Sequence, residues 1–138
     1  MNLLQPISNN QTLTDLSALL ARVGLSLIFI LAGANKIQQY EGTAQYMEAM
    51  GVPGALLPLV IALELGGGLL VLIGAFTQLM ALAFAGFCVF SAIIFHNDLA
   101  NQAEFINFFK NVAIAGGFLA LGAIGAGKFS LDAKLIKD

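Results

Sequence analysis

Four apolar stretches dominate the chain, at about 16–36, 55–76, 79–95 and 108–126. Each holds roughly 17 to 22 residues, enough to cross ~30 Å of hydrocarbon at 1.5 Å per residue. The third, 79–95, contains no charge at all. Backbone N–H and C=O groups in lipid need partners within the protein, so each stretch is predicted to be a helix. The alternation of a membrane β-strand is absent. Composition supports this. The 138 residues are 59% hydrophobic and 10% charged, with mean hydropathy +0.88. A soluble domain carries about 25% charged residues, so this chain lacks the side chains to cover a water-facing surface. A water-soluble bundle would also need polar faces at helical period, and 79–95 offers only Cys88 and Ser91. The expected fold is therefore an all-α membrane protein, a four-transmembrane-helix bundle forming one domain over 1–138.

Several function classes drop out. A net charge of −2, six Lys+Arg and no basic run leave nucleic acid without a binding surface. One cysteine permits no internal disulfide, and CxxC, CxxCH and HExxH are absent, so no metal is expected. A lone histidine cannot make a bis-His haem site. Ala32-Gly33-Ala34 has the look of a signal-cleavage site, but no Lys or Arg precedes Arg22, so the first stretch reads as a retained span.

Loop charges suggest an orientation. The links after spans one and three are acidic (Glu41, Glu48, Asp98, Glu104), while the tail carries Lys128, Lys134 and Lys137. The positive-inside rule then places both termini in the cytoplasm. Thr43–Met50 reads as a short helix capped by Thr43 and ended by Gly51 and Pro53. It is expected to lie on the lipid headgroups, with a lid over an outward-facing cavity as the alternative. Ser130 is a candidate cap for a terminal helix.

Intramembrane charge is costly, ~2.5–3.5 kcal/mol on insertion scales, and marks function by default. Glu64 sits about nine residues into its span, ~13 Å deep. Arg22 lies ~21 Å below Lys36, within one long side chain of that depth, and is the expected partner of Glu64. Arg22, Ser26, Phe29, Gly33 and Lys36 follow one helical stripe that should face the interior. Glu64 is the candidate catalytic residue. Arg22, Lys36, Gly67, Gly68, His96, Lys110 and Asn111 are the candidate ligand-binding residues. Asn111 is expected to bond across helices, and Gly66-Gly67-Gly68 to allow close packing or leave room for a flat ligand. Cys88, among Phe87, Val89 and Phe90, reads as an inert buried thiol.

These residues together resemble the DoxX family of small bacterial inner-membrane proteins. Span one carries Arg22, Gly24, Leu25, Phe29, Ala32, Gly33 and Lys36. Span two carries Gly51-Val52-Pro53-Gly54, Pro58, Glu64 and the three glycines. The last part carries Lys110-Asn111, Gly116-Gly117, Gly125, Gly127 and Ser130-Leu131-Asp132. Gln78 and Phe129 depart from the usual Arg and Tyr. The resemblance implies an accessory of quinone-linked redox or detoxification chemistry, with quinone as the ligand and a redox partner protein or a homo-oligomer in the bilayer. Two other readings stand beside it: a small-molecule transporter or permeability protein, and a membrane scaffold whose charges only lock the helices together.

Overall fold

The computed structural model describes residues 2–136 and contains no strand among them. Four helices are long and apolar enough to cross a membrane: α1 (Gln11–Gln38), α3 (Gly54–Ile73), α4 (Thr77–Phe95) and α5 (Gln102–Ile124). The short α2 (Tyr40–Ala49) and α6 (Leu131–Leu135) follow the first and last of them. The chain is an all-α, four-helix membrane bundle. Its charges are distributed inside out. Leu20 and Leu59 are 70% and 67% exposed, whereas Asp15, Arg22, Ser26 and Glu64 are buried. Water would reject that arrangement and lipid requires it.

Polar caps explain why two helices outrun their apolar runs. The Asn10 side chain accepts from Leu13 N–H at 3.2 Å, starting α1 at Gln11. The Asn101 side chain accepts from Ala103 and Glu104 N–H, starting α5 six residues before the apolar run. In contrast, α3 ends early. Gly74 adopts φ +74, and Ala75 N–H bonds back to Leu70 O at 2.8 Å, closing the helix at Ile73. Thr43 is not a cap. Helix α2 begins at Tyr40, and the Thr43 hydroxyl donates to Gln39 O at 2.8 Å from inside it. Gly51, at φ +82, does end that helix. Ser130 caps α6 as expected, accepting from Ala133 N–H; Lys137 lies outside the described residues.

Helix α1 packs against both α3 and α5, and α4 and α5 pack most extensively against each other. The buried stripe of α1 runs Asp15, Ala18, Arg22, Ser26, Phe29, Gly33. Its centre is aromatic. Phe29 lies 4.4 Å from Phe84 and 5.7 Å from Phe118, centroid to centroid, and Phe84 stacks on Phe118 at 5.0 Å. Cys88 is fully buried in this cluster.

Side-chain bonds fasten the end of the bundle that holds both termini. Asp15 Oδ1 accepts from Lys128 N–H at 3.0 Å, which holds the turn after α5 against the start of α1. The Asp132 carboxylate accepts from Phe76 N–H at 2.8 Å and Thr77 N–H at 2.9 Å, capping α4 from a remote segment. Burial raises the Asp132 carboxyl. These backbone bonds and the nearby Arg22 charge outweigh that effect and hold it below the ordinary carboxylate range. Its contribution to stability is therefore complete above the ordinary carboxylate range and disappears as pH falls through the depressed value. Asp132→Ala should lower stability near neutral pH by about 1–2 kcal/mol, as for a lost helix cap. It should also flatten the acid limb of stability, read from unfolding in detergent across a pH series. An acid limb identical to the parent's would contradict this role.

Candidate functional site

The central turn of α3 is widened. Residues Ala62–Gly67 form a π-helical segment with Glu64 inside it. Such segments add a residue to one turn and re-aim side chains. The widened turn meets α1 at Gly33, where a Cβ would come within 2.8 Å of Leu65 N and 2.9 Å of Leu65 Cβ. Only a residue without a side chain permits that approach. One turn beyond Gly33, Lys36 reaches across. Its Nζ donates to Glu64 Oε1 at 3.1 Å and lies 2.9 Å from Oε2. Glu64 is 4% exposed, and Oε2 receives no aligned hydrogen bond despite the nearby ammonium. The carboxylate thus keeps acceptor capacity.

This pair lines a cavity of about 410 Å³ in the half of the bundle away from the termini. Phe29, Phe87, Phe90 and Ile114 supply apolar walls, as do Val60 and Leu56 of α3. Thr43, Tyr46 and Met47 line it from α2. That helix therefore covers the cavity, with Met47 buried and the Tyr46 ring 5.6 Å from Phe95, rather than only resting on headgroups. Ser91, His96, Lys110 and Asn111 complete the lining. His96 Nδ1 lies 2.8 Å from Glu104 Oε2. Burial first, and then the Glu104 charge, push the Tyr46 phenol above its ordinary value.

Of the residues singled out from sequence, Glu64, Lys36, His96, Lys110 and Asn111 share this cavity. Three do not line it. Arg22 is 1% exposed and turns toward the opposite end, where its guanidinium donates to Leu72 O at 2.8 Å and to Phe129 O. The expected Arg22–Glu64 pair does not form, and the polar pocket is a Lys/Glu site. The reason is depth. Leu72, not Glu64, lies level with Arg22, and it follows Glu64 by eight residues, ~12 Å along the helix. A Cβ at Gly67 would come within 3.2 Å of the Phe84 ring, and one at Gly68 within 2.9 Å of Ile30 Cγ1. Both glycines serve helix approach and leave no room for a ligand. Asn111 donates to Asn107 O of its own helix at 3.0 Å, not to a neighbour. Lys110 is exposed and donates to Asn107 Oδ1 at 3.2 Å.

Two participants escaped the sequence reading. Glu104, the partner of His96, follows it by eight residues across a turn, and no helical spacing signals such a contact. Asp15 sits seven residues before Arg22 on the same stripe, a signal that was legible.

Comparison with known proteins adds the lineage. The DoxX family profile matches residues 17–97. The chain is 50% identical over 125 residues to Inner membrane protein YqjF of Escherichia coli, covering 91% of this chain and 96% of that one. It is 40% identical over 121 residues to Inner membrane protein YphA of the same organism, covering 83% and 86%. It is 37% identical over 71 residues to Putative oxidoreductase CatD of Bacillus subtilis, covering 51% and 53%. No solved structure is significantly similar. With four apolar helices and these relatives, the chain belongs to the DoxX family and is an inner-membrane protein.

Proposed function

We propose that the cavity binds a small, mostly apolar ring compound bearing oxygen, of the quinone or phenol class, and that the protein is an accessory of quinone-linked redox or detoxification chemistry. The observation that carries this reading is the Lys36–Glu64 pair, its carboxylate buried and its lysine partly exposed, on the wall of a mostly apolar cavity. Such a pair adds little stability beyond what two apolar side chains would give, so packing alone does not account for it. A cavity of this volume suits a single substituted ring. Lys36 would donate to a carbonyl or phenolate oxygen, and the Glu64 carboxylate, which keeps acceptor capacity at Oε2, would accept from a hydroxyl. The oxidoreductase name of the B. subtilis relative points the same way. Electrons would be exchanged with a redox partner protein. The Phe29 ring on the cavity wall packs onto the buried, stacked rings of Phe84 and Phe118, which favours a binding pocket over a passage.

The test is titration of purified protein in micelles with a short-chain benzoquinone and its hydroquinone, read by thermal unfolding. Ligand at a hundred times its Kd should stabilise the folded state by about 2.7 kcal/mol. Glu64→Gln should weaken the hydroquinone at least tenfold, the loss of one charge-assisted bond. Absence of any stabilisation by either compound would overturn the reading.

A further inference from the structure

We propose that the groove beside α6 is a binding site for the phosphate headgroup of an anionic phospholipid. The groove, of about 430 Å³, lies between the end of α3 and the segment after α5, lined by Ile73, Lys128, Phe129, Ser130, Leu131 and Lys134. Ile73 is the last residue of a membrane-crossing helix, so the groove sits where acyl chains give way to headgroups. Its two chemistries match the two parts of a phospholipid. Ile73, Phe129 and Leu131 are 52%, 47% and 40% exposed, apolar surface suited to the first methylenes of an acyl chain. Lys128 and Lys134 supply the cationic part, and Lys128 Nζ is held 5.1 Å over the Phe129 ring, at the boundary.

The carboxylates at this end do not cancel those lysines. Asp15 is turned onto Lys128 N–H, and Asp132 onto Phe76 and Thr77 N–H. Among the described residues neither Lys128 nor Lys134 makes an ion pair. The end that holds the termini therefore presents unspent positive charge beside apolar surface, which favours an anionic lipid over a zwitterionic one. Occupancy has a structural consequence. The lining segment carries the Phe129 carbonyl that accepts from Arg22 and the Ser130 that caps α6, so a bound headgroup braces the contacts that fasten this end.

The experiment measures thermal unfolding of the full chain in maltoside micelles doped with phosphatidylglycerol, phosphatidylcholine or inorganic phosphate, together with native mass spectrometry of retained lipid. Phosphatidylglycerol should raise the midpoint and remain bound, and the other two additions should do neither. K128Q/K134Q should weaken phosphatidylglycerol about thirty-fold, at roughly one kcal/mol per lysine. K110Q, which removes an exposed lysine from the opposite half, should leave its affinity unchanged. If the double variant folds less well, the count of retained lipid at low temperature still decides. An equal response to phosphatidylcholine, or undiminished phosphatidylglycerol retention by K128Q/K134Q, overturns the proposal. A midpoint rise with inorganic phosphate alone identifies a simple anion site and overturns it too.

Discussion

Lys36→Met is expected to destabilise the folded protein by about 3 kcal/mol and to remove its response to ring ligands. The substitution keeps the length of the stem and deletes the ammonium that lies 2.9 Å from Glu64. Glu64, at 4% exposure, then stays as an uncompensated buried acid. Breaking one side of a buried pair costs about 3–5 kcal/mol, and the partial exposure of Lys36 places this case at the low end. Adding Glu64→Leu to Lys36→Met should restore most of the loss, because two apolar groups of similar size pack without a desolvation penalty. The double variant separates two readings. A scaffold whose charges only lock helices keeps full function once stability returns, whereas a ligand-binding pair stays inactive. Reversible unfolding in mixed micelles gives the stability, and the quinone titration gives the function. Ligand affinity preserved in a stable double variant would reduce the pair to a packing device.

Arg22→Met should also destabilise, by about 2–6 kcal/mol, yet leave ring binding untouched. The guanidinium satisfies two backbone carbonyls, Leu72 O at the end of α3 and Phe129 O in the segment after α5. Each orphaned buried acceptor costs about 1–3 kcal/mol. Arg22→Lys should recover only part of this, since an ammonium is a point donor where the guanidinium is a planar fork that reaches both oxygens. Proteolysis should then begin at the terminal end, around residues 125–136, because Arg22 is one of the ties that hold that segment, beside Asp15 and the Asp132 bonds to Phe76 and Thr77. Loss of ring binding in Arg22→Met protein that is still folded at the temperature of the titration would contradict its placement away from the cavity.

Arg22 and Lys36, two of the three charged residues of α1, show where sequence reasoning works and where it stops. The stripe that carries them turned inward as read, since helical period alone dictates which residues share a face. Which partner each would meet depended on the vertical offset between α1 and α3. That offset is set by the contact of Gly33 with Leu65 and by the turn at Gly74, neither of which a count along one helix contains. The same limit applies to α2. Its existence and its glycine stop were legible, but its place over the cavity follows from Met47 and Tyr46 finding partners on other helices.

By itself the sequence determined the solvent, the number of crossings and the inward face of α1. Hydrophobicity and periodicity are properties of consecutive residues, and lipid leaves a helix as the only answer to them. Only the tertiary structure decided that Glu64 meets Lys36 and that Arg22 clasps the far end. It also decided that the glycines close a seam and leave the pocket to the aromatic rings. Those outcomes depend on side-chain reach between helices, a few ångströms that the widened turn of α3 and one missing Cβ set in space.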